Sequence, residues 1–334
     1  MANEIELKLA FPAKALDSIL AHPQIANAPR KGEPRILDNT YFDTAELKLH
    51  AARIAVRTRR IDDLTLQTVK CAAESVGGLS SRPEWEQPFK DEFDFSTVDI
   101  KPVRKMLQEL AGQLLPVFTT VFHRETRIVQ PVPDVVILVM IDTGKIIVGD
   151  QETPICEVEL ELAQGGAGDL QNFAIALAET LPLIPFDLSK AQRGYQLFLK
   201  ETIKPLRFGK TPVQPQWTPL QAFRAIAVQA ESAWLANLHG ALASPDPEFL
   251  HQFRVALRRL KALIKTCKPI LPGDFVERWV NSFSQLGNVS GPARDLDVLR
   301  ESILQPLLCS EAESAIEPLM RRSLQDCAQE RRTA

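Results

Sequence analysis

The chain changes its hydrophobic rhythm about two-thirds of the way along. Before that point apolar and polar positions alternate in short runs: Glu4–Leu9, Ile54–Arg59, Leu64–Lys70, Glu84–Phe89, Val121–Val129, Val135–Asp142, Lys145–Val148 and Ile155–Leu162. Side chains two residues apart share one face of a strand, so each run predicts a half-buried β-strand. Asp62-Asp63, Gly77-Gly78, Pro131 with Pro133, and Thr143-Gly144 punctuate the runs as turns. Short helices are expected at Pro12–Ala21, Val103–Leu110 and Asp169–Thr180. Many strands with few, short helices predict a closed antiparallel barrel rather than a doubly wound sheet. Residues 201–219 carry Pro205, Pro212, Pro215 and Pro219 with little periodicity and read as a linker. From Leu220 the spacing is helical, over Ala222–Asn237, Pro247–Lys268, Asp274–Leu286, Asp295–Leu308 and Glu311–Arg331. The expected fold class is α+β: a β-barrel over residues 1–200, a linker over 201–219, and an all-α domain over 220–334.

The polar faces of the strands carry the chemistry. Glu4, Glu6 and Lys8 share one face, as do Arg57 and Arg59, Thr68 and Lys70, Arg82, Glu84 and Glu86, and Glu157, Glu159 and Glu161. A wet outer face normally mixes Thr, Ser, Gln and Lys rather than repeating pure Glu or pure Arg. Carboxylates at two-residue spacing repel one another and call for divalent cations or arginines from neighbouring strands. A lumen lined by both signs of charge answers that need. Its carboxylates suit Mg²⁺ or Mn²⁺, which prefer oxygen ligands and keep some coordination for water and phosphate. Its Arg and Lys suit a chain of phosphates. Hydrolysing a phosphoanhydride needs positioning, charge neutralisation and an oriented water more than covalent chemistry. No Gly-x-x-x-x-Gly-Lys-Ser/Thr is present, which argues against a P-loop enzyme.

Composition narrows the classes. The chain has 334 residues, 45% apolar and 24% charged, with a formal net charge of -3. Two ordinary globular domains fit this, and bulk electrostatic binding to nucleic acid or an anionic membrane does not. Cys71, Cys156, Cys267, Cys309 and Cys327 are scattered, as expected of reduced thiols in a cytosolic protein. No apolar run follows a basic start, so no secretory signal is expected. The longest apolar run, Val135 to Ile141, is too short to span a bilayer. In the second region His251, Arg254, Arg258, Lys261 and Lys265 fall on one stripe of a helix, a like-charged row that an anionic partner would relieve.

These motifs resemble a known family. Glu4-x-Glu6-x-Lys8 is similar to the ExExK signature of the CYTH superfamily, the triphosphate tunnel metalloenzymes. Asn39–Thr44 resembles its tyrosine-phenylalanine-aspartate turn, Ala55–Arg59 its paired-arginine strand, and Thr68–Lys70 its lysine strand. Arg82–Glu86, Phe122–Arg124, Ile141–Gly144, Glu157–Glu161 and Ser189-Lys190 continue the series; Ala55-Val56 departs from the family's more usual Leu-Arg before the paired arginine. The resemblance implies an eight-stranded antiparallel tunnel barrel using Mg²⁺ or Mn²⁺. It implies Glu4, Glu6, Glu157, Glu159 and Glu161 as metal-side carboxylates, with Asp142 and Glu84 or Glu86 near a second metal or the attacking water. It implies phosphate contacts from Lys8, Arg57, Arg59, Lys70 and Arg124, a leaving-phosphate role for Lys190, and help from Arg193. Strand parity separates Arg124 from Arg127, and Arg124 is taken as the inward one.

His251–Lys261, with Leu286-Gly287 and Ala293–Leu299, resembles the first half of a CHAD domain, a helical module that implies polyphosphate binding through His251, Arg254, Arg258, Lys261 and Lys265. The pairing of modules resembles bacterial inorganic triphosphatases. The leading expectation is therefore cleavage of tripolyphosphate to pyrophosphate and phosphate. The alternatives are an enzyme for thiamine triphosphate or ATP, and a non-catalytic polyphosphate-binding protein.

Overall fold

The computed structural model describes residues 3–71, 75–211, 213–310 and 322–326 and divides into two compact units, Met1–Thr202 and Ile203–Ala334. In the first unit, β1 (Asn3–Ala10), β2 (Arg35–Asp43), β3 (Ile54–Ile61), β4 (Leu64–Cys71), β5 (Ser75–Val76), β6 (Leu79–Pro88), β7 (Leu115–Val129), β8 (Val136–Val148), β9 (Gln151–Gln164) and β10 (Ile184–Pro185) form one antiparallel sheet. Its order β1-β9-β8-β7-β2-β3-β4-β6 closes on itself. Residues Asn3–Leu7 of β1 pair with β6, while Glu6–Ala10 pair with β9. The result is an eight-stranded barrel, with β5 and β10 adding short pairs to β6 and β1.

Strand alternation sorts the side chains. Leu7, Leu9, Val139, Ile141, Val158 and Leu160 face outward and are buried under helices α1 (Leu16–Ala21), α2 (Pro23–Ala26) and α5 (Ala167–Ala178). On another flank Val56 and Val69 pack with Leu49 of α3 (Lys48–Ala51) and Leu107 of α4 (Lys101–Leu110). With the outer face used for packing, Glu6, Lys8, Arg57, Arg59, Lys70, Glu84, Glu157, Glu159 and Glu161 project into the barrel, while Arg60 and Glu152 stay on its outside. Part of the lumen is instead apolar. Tyr41, Phe118, Phe122, Ile146, Ile155 and Tyr195 form a buried cluster there, and Tyr195 comes from helix α6 (Lys190–Phe198).

Three readings of the sequence need correction. The segment Asn39–Thr44, expected as a turn, is the second half of strand β2, and only its end turns into α3. Thr143-Gly144 is not a turn either, because β8 runs unbroken through it. A Cβ on Gly144 would lie 2.2 Å from the Val121 carbonyl oxygen and 2.4 Å from Phe122 Cα, so the glycine lets β7 and β8 approach closely. The chain turns instead at Gly149, which has a φ of 54°. Helix α6 was not expected at all. Ser189 caps it in a reciprocal pair with Gln192.

The second unit contains α7 (Pro219–Ala243), α8 (Pro247–Thr266), α9 (Gly273–Val289), α10 (Gly291–Val298), a π-helical turn at Leu299–Leu304, and α11 (Gln305–Ser310). Thr218 and Asp246 cap α7 and α8, with proline in the first turn of each. Phe223, Phe253, Leu257, Leu260 and Phe283 build its core. The proline-rich stretch ahead of α7 is tied to this unit: the buried Asn237 side chain bonds both the N–H and the carbonyl of Leu206, and Phe208 lies under the Arg259 guanidinium. Most of the expected helix Glu311–Arg331, with Cys327 and the Cys309 side chain, lies outside the described residues. No helix among the described residues is long and apolar enough to cross a membrane.

Candidate active site

The basic side of the lumen is built by register. Strand β2 sets Asn39 opposite Arg59 and Tyr41 opposite Arg57. Arg57 Nη1 donates to the Tyr41 hydroxyl at 3.3 Å, and Nη2 lies 3.9 Å from Glu84. Arg59 Nε donates to Asn39 Oδ1 at 2.9 Å, and the Asn39 amide is itself fixed by Thr120. Lys70 meets Glu84 at 2.5 Å, while Glu86 accepts from Thr68 and stands 3.8 Å from Arg59. Burial, together with the Arg57 and Arg124 guanidiniums, lowers Arg59 to about 10. A cation destabilised by its own kind gains most from an anion placed among the group. Arg57 sharpens the point: its buried Nε has no hydrogen-bond partner among the described residues.

The acidic side centres on Asp142, Glu157 and Glu159, whose carboxylate oxygens lie within 4.8 Å of one another. Cations from two elements converge there. Arg124 on β7 forks onto Asp142 at 2.7 and 2.5 Å and reaches Glu159 at 2.5 Å. Lys190 donates to Asp142 at 2.7 Å, to Glu159 at 2.9 Å and to Glu157. Arg193 takes the other Glu157 oxygen at 3.3 Å. Lys190 and Arg193 stand in the first turn of α6, where the helix dipole disfavours cations; the carboxylates outweigh it. Burial lowers Lys190, yet the three carboxylates raise it well above the ordinary lysine value. Burial likewise raises Glu159, yet Lys190, Arg124 and Lys8 hold it well below the ordinary carboxylate value.

A third group sits where β1 meets β9. Glu6 is directly opposite Glu161, and Lys8 opposite Glu159 at 4.0 Å. Like charges facing across a sheet destabilise it unless something intervenes. Glu6 receives Arg82 at 2.5 Å, and although burial and Glu159 push its carboxyl up, Arg82, Lys8 and Lys70 keep it below its usual value. Among the described residues no side chain hydrogen-bonds or ion-pairs with Glu161, and burial pushes that carboxyl up. An all-oxygen donor set in which one carboxylate has no cation bonded to it among the described residues fits a hard divalent cation. The fit is best at Glu6 and Glu161; both oxygens of Glu157 and both of Glu159 already face cations, so either would join only by exchanging one of them.

The lumen thus brings together Glu6, Lys8, Arg57, Arg59, Lys70, Glu84, Glu86, Arg124, Asp142, Glu157, Glu159, Glu161, Lys190 and Arg193. The Glu4 backbone pairs with Arg82, but its side chain lies outside the described atoms. Arg127 points away from Arg124 and binds Glu125 at 2.5 Å. Asn39, Tyr41 and Arg82 lie in segments the sequence singled out but carried no expected role; the structure shows them holding Arg59, Arg57 and Glu6. The signal for the first two was their shared parity in the run Leu37–Asp43. In the helical unit, Arg258 and Lys265 are exposed, and His251 and Lys261 are half-buried. Arg254 differs, since its guanidinium caps α9 by donating to the Gly287 carbonyl at 2.5 Å and to Ser290 at 2.8 Å.

The CYTH domain family matches residues 2–195. The chain belongs to the CYTH family. The CHAD domain family matches residues 225–334 of this CYTH protein. An inorganic triphosphatase of Haemophilus influenzae is 32% identical over 210 residues, which cover 60% of this chain and 56% of that protein, so the match spans about half of the relative's length. Solved structures similar to the CYTH unit include a Hippeastrum adenylyl cyclase homologue described as having a dominant triphosphatase activity (17% identity, 58% and 95% of the two chains, TM-score 0.43). A Bacillus halodurans protein described as an adenylate cyclase is another (18%, 58% and 98%, TM-score 0.36).

Proposed function

We propose that this CYTH protein is a metal-dependent triphosphatase that cleaves tripolyphosphate to pyrophosphate and phosphate. The observation that carries the reading is the division of one lumen into a crowded guanidinium side and a carboxylate side. A pure polyanion binder gains nothing from Asp142, Glu157, Glu159 and Glu161, and a pure metal site gains nothing from Arg57 and Arg59. The similarity to an inorganic triphosphatase supports the same reaction class.

In this reading Arg57, Arg59, Lys70 and Lys8 hold the non-bridging oxygens of the phosphate chain, with Tyr41 and Asn39 fixing the two guanidiniums. Glu6, Glu159 and Glu161, with Glu4, hold Mg²⁺ or Mn²⁺. When bound, the metal neutralises phosphate charge and polarises a water. Arg124 and Lys190 stand between the two sides and meet charge that builds on the leaving phosphate. Glu84 and Glu86 hold Lys70 and Thr68 and keep the basic side from repelling itself before substrate arrives. On the helical unit, the exposed Arg258 and Lys265 offer polyphosphate a salt-sensitive contact. The free Cys71, Cys156 and Cys267 suit the cytoplasm.

The test is kcat/KM for tripolyphosphate, thiamine triphosphate and ATP with Mg²⁺ and with Mn²⁺. Tripolyphosphate is expected to lead, since every contact assigned above is to a phosphate oxygen or the metal and none is to a base or thiazolium ring. A higher value for either of the others would overturn the substrate assignment.

A further inference from the structure

The chain has only two tyrosines, and both converge on Phe118. Tyr41 stacks on its ring with centroids 4.6 Å apart and holds Arg57; Tyr195 meets it edge-on at 5.2 Å. The Tyr195 hydroxyl donates to Asp43 at 2.8 Å, a contact between residues 152 positions apart. Asp43 is 0% exposed. Its Oδ1 accepts the N–H groups of Thr44 and Leu49, and its Oδ2 accepts the N–H of His50 besides the tyrosine. The His50 ring stacks on Tyr195 at 4.3 Å. Nothing in the proposed reaction uses this carboxylate.

The place of the bond gives it a use. Tyr195 lies in α6, five residues after Lys190, so the helix it anchors is the one that presents Lys190 and Arg193 to Asp142, Glu157 and Glu159. The neighbouring Gly194 is pressed against Phe118, where a Cβ would fall 2.1 Å from the ring. Helix α6 is therefore gripped at Gly194 and Tyr195, while its first turn carries like charges at its own positive end. Burial and Asp43 keep the Tyr195 hydroxyl protonated, and so a donor.

We infer that Asp43 and Tyr195 form a positioning latch that sets the depth of α6 and thereby the reach of Lys190 into the carboxylate cluster. The inference rests on the proposed triphosphatase reading, in which Lys190 meets the leaving phosphate. Neither latch residue hydrogen-bonds a lumen charge, so the latch acts through the seating of α6, and Lys190 is the α6 side chain that reaches all three carboxylates.

A double-mutant cycle of Tyr195→Phe and Lys190→Met tests this. Alone, Tyr195→Phe is expected to lower kcat on tripolyphosphate about tenfold with KM changed less than twofold. In the Lys190→Met background the same change is expected to have little further effect, because the group it positions is gone. An additive loss in both backgrounds, or an unchanged kcat, overturns the latch. The cycle is repeated on urea midpoints without substrate or metal, where coupling between the two positions is expected again. Should wild-type protein release no phosphate, the triphosphatase reading fails, and the urea cycle still decides the latch: coupled supports it, additive overturns it.

Discussion

Lys190 is the residue on which the acidic side of the lumen balances, and Lys190→Met measures by how much. Methionine keeps the length of the stem and removes the ammonium from three buried carboxylates. Removing one partner of a buried ion pair costs about 3–5 kcal/mol, because the other charge is left without compensation. Here Arg124 still serves Asp142 and Glu159, and Arg193 still serves Glu157, so about 3 kcal/mol is expected. For a unit of this size that is about 6–12 °C in melting temperature. Differential scanning calorimetry in EDTA should show it on the barrel transition. The pH window follows from the shifts. Lys190 is raised above the ordinary lysine value of 10.5, so its contribution is present at neutral pH and is lost only as pH rises beyond that value. Glu159 is held below the ordinary carboxylate value of 4.5, so its contribution is lost as pH falls past that value. The gap between wild type and variant should be widest between those limits and close on either side. A variant melting within 1 °C of wild type at pH 7 would refute the reasoning.

Other perturbations separate the parts. Arg57→Ala and Arg59→Ala each remove charge-assisted hydrogen bonds of about 1.5–3 kcal/mol, so kcat/KM on tripolyphosphate should fall about 10- to 100-fold in steady-state assays; Arg59→Lys should recover only part, lacking the planar fork. Glu161→Gln should weaken Mn²⁺ binding followed by electron paramagnetic resonance, and unchanged affinity would remove Glu161 from the metal side. Gly144→Ala forces a Cβ against the β7 backbone and should cost the barrel about 3 kcal/mol by urea midpoint, the upper end for overpacking. Arg254→Ala should lower the melting of the helical unit through the lost cap on α9, whereas Arg258→Glu with Lys265→Glu should spare its melting and weaken retention on immobilised polyphosphate.

The strands that declared themselves in the sequence were those in which apolar and polar positions alternated in short runs. Glu4–Lys8 and Glu157–Glu161 could be read because alternation with Ile5, Leu7, Val158 and Leu160 fixed both the period and the buried side. Strand β2 could not, since its inward face mixes Leu37, Asn39, Tyr41 and Asp43 while Ile36 on its other face is 67% exposed. Thr143-Gly144 carried turn chemistry, yet the glycine there answers to the neighbouring backbone. Helix α6 is nine residues long with a basic first turn, against the usual dipole preference, and only tertiary carboxylates make sense of it. The partnerships inside the lumen, Arg82 with Glu6 and Tyr41 with Arg57, follow from strand register and barrel closure, which no local pattern encodes. The charge types were therefore legible, and their pairing was not.

The central claim is that the two sides of the lumen act together on a phosphate chain. Phosphate and pyrophosphate release from tripolyphosphate, measured together with Mg²⁺ or Mn²⁺ and again in EDTA, tests it most directly. The account predicts one phosphate and one pyrophosphate per molecule cleaved, no release in EDTA, and a rate of release lowered at least about tenfold in both Arg57→Ala and Glu159→Gln. Release that persists in EDTA, or that keeps the wild-type rate in either substitution, would contradict it.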